Sequence, residues 1–185
     1  NRPDKGNSPP YSFASIWADG VARVLEARHL PPYEGASGLG ANNVPGLMRL
    51  DSAVFTGEFP LARIDFADRA LPVSVSLEAF TPFIPLEPDD SGLPAAILRY
   101  RVKNSSAKAR KVSIAFSIDN LVGTGEKRAA EWLSGALNGL LFSNAALAED
   151  DVLRGTFVLG ALKPATYWRG WPKGRWWDAP LLFWD

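Results

Sequence analysis

The chain has no cysteine and a single histidine, His29, among its 185 residues. Without thiols it has no disulfide framework, no thiolate zinc site and no cysteine nucleophile. With one histidine it has neither an HExxH pair nor a His-rich metal cluster. His29 itself, beside Leu30-Pro31-Pro32, reads as a loop residue. Charge of one sign is also lacking: twenty basic residues balance twenty acidic ones. No global field therefore favours nucleic acid or an anionic membrane surface. No stretch reaches the roughly 18 consecutive apolar residues of a membrane-spanning helix, and no basic and apolar leader opens the chain. Its first residue is Asn1 rather than Met, which reads as a processed chain or an excised piece, and no compartment is legible.

What is present suits a folded domain. Hydrophobic residues make up 46% and charged residues 22%, far from the signature of disorder, and the length fits one domain with a sizeable core. Apolar residues recur mostly with period two, and sixteen glycines and fifteen prolines punctuate them closely. The expected fold is all-β: a two-sheet antiparallel β-sandwich with long loops and at most a short helix. The clearest strand is Pro72 to Phe80, with Val73, Val75, Leu77 and Ala79 on one face and Ser74, Ser76 and Glu78 on the other. Ala95 to Val102 and Val112 to Ile118, joined by the polar run from Lys103 to Lys111, read as an antiparallel hairpin. Further strands are expected at Tyr11 to Ala18, Val21 to Glu26, Arg49 to Phe55, Leu61 to Phe66, Gly139 to Ser143, Thr156 to Leu162 and Ala165 to Arg169. Pro31 to Pro45 and Asn120 to Asn138 read as long connections, with a short helix expected within Glu126 to Leu137.

Signals for chemistry are sparse. Gly123-Thr124-Gly125 and the glycines from Gly35 to Gly40 lack a complete phosphate-binding pattern and read as turns. Asn104-Ser105-Ser106 is a formal glycosylation sequon. Acid–base chemistry carried by carboxylates needs two of them close together in space, in environments that push their pKa values apart. Glu78, Asp89, Asp90, Asp119, Asp178 and Asp185 qualify by type, yet no spacing selects a pair. Asp89-Asp90-Ser91-Gly92 reads as a turn, and Glu149-Asp150-Asp151 as a solvated one.

The C-terminal end is unusual. Tyr167, Trp168, Trp171, Trp176, Trp177, Phe183 and Trp184 place five of the seven tryptophans within seventeen residues. Such clusters either bury against a sheet or a neighbouring domain, or offer flat faces on which sugar rings stack. Trp168, Trp171, Trp176, Trp177, Asp178 and Trp184 are the candidate contacts, for carbohydrate or for another domain. Arg169, Lys173, Arg175 and Asp178 supply hydrogen-bonding groups beside them.

Three blocks stand out in the middle of the chain: Phe55-Thr56-Gly57-Glu58-Phe59-Pro60, Leu77-Glu78-Ala79-Phe80-Thr81-Pro82-Phe83-Ile84-Pro85 and Asp89-Asp90-Ser91-Gly92-Leu93-Pro94. In this order, and with the two alternating runs that follow to Asn120, they resemble the N-terminal domain of glycoside hydrolase family 116, the bile-acid β-glucosidase or non-lysosomal glucosylceramidase family. The segment from Trp176 to Asp185 is similar to the family's approach to its helical domain. A Gly-rich opening motif of the family is missing, which implies that the chain begins inside the N-terminal domain.

The resemblance implies that residues 1–185 are one β-sandwich domain of a larger retaining glycosidase. Its nucleophilic Glu and acid/base Asp would lie in an (α/α)6 domain following Asp185, so no catalytic residue is carried onto this chain. It also implies no cofactor and no metal-dependent step. The expected partners are that helical domain and a β-glucoside or glycolipid substrate. Two other readings stand beside it: a separate carbohydrate-binding module that uses the Trp cluster, and a sandwich that serves assembly alone.

Overall fold

The computed structural model describes residues 12–27, 47–123, 128–163, 165–168, 170–171 and 179–184. In chain order its strands are β1 (Phe13–Ala18), β2 (Val21–Ala27), β3 (Arg49–Leu50), β4 (Ser52–Glu58), β5 (Leu61–Ala67), β6 (Ser74–Phe80), β7 (Ile97–Lys103), β8 (Val112–Ser117), β9 (Arg128–Leu133), β10 (Asn138–Asn144) and β11 (Phe157–Ala161). Two short helices accompany them, α1 (Pro88–Ser91) and α2 (Ala179–Trp184). The described residues are thus mostly strand, as the period-two pattern requires. They build three sheets rather than two: an inner sheet β3-β2-β1-β8, an outer sheet β4-β5-β6-β7 and a small sheet β11-β10-β9. All pairings are antiparallel except β2 with β3.

The alternation of β1 decides the layering. Ala14, Ile16 and Ala18 point to one side, where they join Leu25, Leu71, Val73 and Val75 in a buried cluster with Phe66 and Tyr100 packed against it. These residues come from the inner and outer sheets, so the sandwich interface lies here. Phe13 points to the other side and forms a second cluster with Val24 and Leu47, covered by Trp171 and Trp184. Both faces of β1 are therefore buried, which explains why Phe13-Ala14-Ser15-Ile16-Trp17-Ala18 contains no charged residue. Full burial of a side chain such as Ile16 stabilises by about 1.5–3 kcal/mol.

β1 turns into β2 at Asp19-Gly20, whose φ angles of 46° and 89° are both left-handed, the geometry of a two-residue type I′ hairpin. Gly20 meets no strain there, and Asp19 tolerates it because its side chain bonds the backbone. Asp19 Oδ1 accepts from the Lys111 N–H at 2.9 Å and Oδ2 from Arg110 Nη1 at 3.0 Å. That bracket seats the start of β8 against β1, with register running from Phe13↔Ser117 to Ala18↔Val112.

This pairing corrects one expectation. β7 and β8 form no hairpin: β7 pairs with β6 in the outer sheet, and β8 with β1 in the inner one. The polar run between them crosses from one sheet to the other. Asn104 shapes the crossing, its Nδ2 donating to the Lys108 carbonyl at 2.8 Å and its Oδ1 accepting from Ser106 N–H at 3.0 Å. Hydrophobic alternation identifies a strand but does not name its neighbour, and the Asp19 bracket selects β1.

Other boundaries also move. The run from Arg49 to Phe55 divides at Asp51 into β3 and β4, which belong to different sheets. The helix expected within Glu126 to Leu137 is strand β9, which pairs with β10 from Gly139↔Leu133 to Asn144↔Arg128. Residues 165–168 carry no strand. The helix α1 occupies the Asp89-Asp90-Ser91 turn, closed by the Gly92 N–H donating to the Pro88 carbonyl at 2.8 Å. The connection from Pro31 to Pro45, with its glycines and the neighbouring His29, lies outside the described residues.

Two partly buried ion pairs brace the inner sheet. Arg23 Nε meets Asp68 Oδ2 at 3.0 Å, with side chains 13% and 4% exposed, and Arg49 Nε meets Glu26 Oε2 at 3.0 Å. Asp68 also accepts from the Ala70 and Leu71 N–H groups at 2.8 and 2.9 Å. One carboxylate thus closes the turn before β6 and ties it to β2. The small sheet is attached by Asn120, whose Nδ2 reaches the Ala129 carbonyl at 3.0 Å and the Ser143 carbonyl at 2.9 Å.

Candidate functional site

The C-terminal aromatics pack largely on the inner sheet. The ring of Trp171 stacks on Phe13 with centroids 5.9 Å apart and planes at 14°. Its Nε1 donates to Ser117 Oγ at 2.9 Å. Trp184, at the end of α2, donates from Nε1 to the buried Ser15 Oγ at 3.3 Å. Phe183 lies edge-on to Trp168, Trp171 and Trp184 at 5.4, 5.3 and 4.7 Å. Tyr167 stacks on Trp132 of β9 at 4.8 Å. This segment therefore passes from the small sheet to the inner sheet and seals the seam between them.

Those contacts divide the six candidate residues. Trp171 and Trp184 are half-buried structural cover. Trp168 is 60% exposed. Trp176, Trp177 and Asp178 lie outside the described residues, as do Arg169, Lys173 and Arg175. Sequence reasoning missed the partners on the other side. Ser117 sits on the face of β8 that alternation reads as polar or neutral, Ser15 alternates with Phe13 and Trp17 in β1, and nothing local marks either as an acceptor for an indole.

A cavity of about 140 Å³ lies beneath this cover. Phe116 and Ser117 of β8, Phe142 of β10, Trp168, Trp171 and Phe183 contribute to its wall. Ser117 offers the one hydroxyl among the lining side chains, and it already accepts from Trp171. A pyranose needs several convergent polar groups to fix its hydroxyls. This lining suits an apolar group better.

The carboxylates are arranged for structure. Glu78, on the face of the outer sheet opposite the sandwich core, sits among three guanidinium groups. Arg101 Nε lies 2.9 Å from it, and Arg63 and Arg99 Nη1 each lie 3.4 Å away. The hydrogen bond from Arg101, with the field of the other two, lowers its pKa below 4.5. Asp65 is lowered in the same way by its bidentate contact with Arg63. A glycosidase acid needs the opposite shift, so that it holds its proton near neutrality. Asp119 pairs with Arg128 at 3.6 Å. Asp89 and Asp90 occupy the first turn of α1, while Asp178 and Asp185 lie outside the described residues. Among the described residues no three His, Asp or Glu side chains gather as a metal site, and no helix is long and apolar enough to cross a membrane.

Comparison with curated proteins returns no match. Comparison with family models gives one over residues 11–171, described as beta-glucosidase 2, glycosyl-hydrolase family 116 N-term. That span contains all eleven strands in full and, in β1 to β8, the whole sandwich, together with the three blocks on which the resemblance rests. The chain belongs to the family of glycoside hydrolase family 116 N-terminal domains.

Proposed function

We propose that this domain is the non-catalytic N-terminal part of a retaining β-glucosidase or glucosylceramidase-like enzyme. It packs against a helical (α/α)6 catalytic domain and helps shape the edge of its cleft. The family match over residues 11–171 carries the reading. The carboxylate environments support it, because Glu78 and Asp65 are committed to arginines and are poor proton donors. The substrate class is a β-glucoside, bound by the whole enzyme.

Hydrolysis of an aryl β-glucoside tests this. The isolated chain is expected to release no aglycone, and the longer protein that carries it is expected to do so. Turnover by the isolated chain overturns the proposal.

A separate carbohydrate-binding role has one observation in its favour, the exposed ring of Trp168 beside the cavity. Affinity of the isolated chain for oligosaccharides, lost in Trp168→Ala, would establish that role instead.

A further inference from the structure

Apolar side chains are exposed at scattered points, among them Phe59 at 82%, Leu86 at 97% and Val152 at 95%, and single residues of that kind mark no site. An unpaired strand edge is different, because its N–H and C=O groups offer a ladder of fixed geometry to another strand. β4 closes one side of the outer sheet and pairs only with β5 among the described residues. No other backbone hydrogen bond among the described residues reaches it. All seven of its residues are exposed.

Sheets protect their edges with charge, proline, bulges, shortness or cover. The other described edges longer than two residues show such protection. β7, at the far side of the outer sheet, carries Arg99, Arg101 and Lys103, and β9 carries Arg128 and Glu131. β8 runs beneath the aromatic segment, with Ala115, Phe116 and Ser117 lining the cavity under it. β11 is five residues long, and alternate ones are half-buried. β4 lacks these devices. Ser52-Ala53-Val54-Phe55-Thr56-Gly57 has no charge and no proline, and its register with β5 runs unbroken from Ser52↔Ala67 to Glu58↔Leu61.

The strand is also complementary to itself. Two identical strands paired antiparallel share a two-fold axis, which presents the same surface from both copies. Centred on Phe55, the pairing sets Phe55 against Phe55, Val54 against Thr56, Ala53 against Gly57 and Ser52 against Glu58. No like charges oppose, and an aromatic pair and two β-branched pairs lie across the strands. The Phe55 ring, 58% exposed, leans over Gly57, where a β carbon would come within 3.1 Å of it. The residue opposite Gly57 is Ala53, so each ring has a small neighbour on both strands. At the end of the pairing Glu58 reaches Ser52 of the other copy, beside a hollow that Asp51, Ala67 and Arg69 help to line. The Arg69 side chain is 96% exposed there, a cation for the arriving carboxylate that the two-fold axis repeats at both ends.

We propose that a second copy of this chain binds the free edge of β4, antiparallel and centred on Phe55, joining two outer sheets of four strands each into one continuous sheet. A seven-residue edge contact is small beside the roughly 1,200–2,000 Å² of a standard interface. The dimer therefore forms as concentration rises rather than being permanent.

The chain contains no cysteine, so one introduced thiol reports on this edge alone. Residues opposite one another in an antiparallel pair have Cα atoms about 4.5–5.5 Å apart, inside the roughly 4.4–6.8 Å that a disulfide spans. Phe55→Cys is expected to give a disulfide-linked dimer on mild oxidation. Ala53→Cys, whose two copies would stand roughly 14 Å apart along the strands, is expected to stay a monomer. The unaltered chain provides a measurement that no substitution can disturb. Its mass by light scattering is expected to rise from 20.1 kDa toward twice that value with concentration. The double variant Val54→Lys/Thr56→Lys, which sets like charges opposite one another, is expected to hold at the monomer mass with unchanged far-UV circular dichroism. A monomer mass for the unaltered chain at every concentration overturns the proposal. So does a doubled mass that persists in the lysine variant, or crosslinking through position 53 and not 55. None of these outcomes bears on glycoside hydrolysis, so this proposal and the one above fail separately.

Discussion

Trp171 and Ser117 stand 54 positions apart and meet through a 2.9 Å hydrogen bond in which the indole N–H donates to the hydroxyl. The contact turns a neutral strand face into a buried one. Ser117 opposes Phe13 across the β1–β8 pairing, and Trp171 stacks on that same Phe13. One indole therefore closes the layer through both its ring and its nitrogen.

Trp171→Ala is expected to destabilise the domain toward the lower end of the roughly 3–5 kcal/mol seen for aromatic truncations, since the ring is only half-buried. Trp168→Ala, at a ring 60% exposed, is expected to stay within about 0.5 kcal/mol of the parent, as surface substitutions usually do. Urea unfolding of the two variants measures the difference. Equal losses would contradict the division into cover and exposed ring.

Asp68 is expected to be far more sensitive than its turn position suggests. Asp68→Ala leaves Arg23 largely buried without its partner and removes the acceptor for two backbone N–H groups. Breaking a buried pair from one side costs about 3–5 kcal/mol. Thermal unfolding should show a clearly larger loss than for Asp51→Ala, whose partner Arg69 is 96% exposed.

The Asp19 bracket makes stability depend on acid. The Lys111 N–H and then the Arg110 guanidinium hold the Asp19 pKa below its ordinary value of 3.8. A carboxylate lowered on folding contributes stability that is present above its unfolded value and is lost as pH falls through the folded one. Asp19→Asn should therefore melt at a lower temperature than the parent at pH 7, and the gap should close as pH falls below 3.8. Melting curves recorded across that range check the sign, and a constant gap would contradict it.

Much of the fold is legible in period-two alternation, because a strand with one buried face must repeat its apolar residues at every second position. Pro72 to Phe80 shows this directly. Alternation is silent about which strand lies beside which. The sequence therefore suggests a β7–β8 hairpin, where the Asp19 contacts and the β1 pairing place β8 in another sheet. It also leaves the β9 segment looking like a short helix. Arg128-Ala129-Ala130-Glu131 has helical propensity, and the Gly139↔Leu133 to Asn144↔Arg128 pairing with β10 overrides it.

The candidate site divides along the same line. Residue types alone reveal the density of aromatic rings near the C-terminus, and the blocks from Phe55, Leu77 and Asp89 reveal the family. Neither says which rings are buried. The Phe13 stack and the Ser15 and Ser117 hydroxyls decide that, and these partners are remote in the chain. Nor does composition mark Phe59 and Leu86 as surface: local sequence would place such residues in a core. Burial is a property of the assembled layers, since an apolar side chain is inside only where another element arrives to cover it. By itself the sequence determined the strand-rich class and the family. The tertiary structure decided the pairing of β8, the division into three sheets, and which apolar residues are left uncovered.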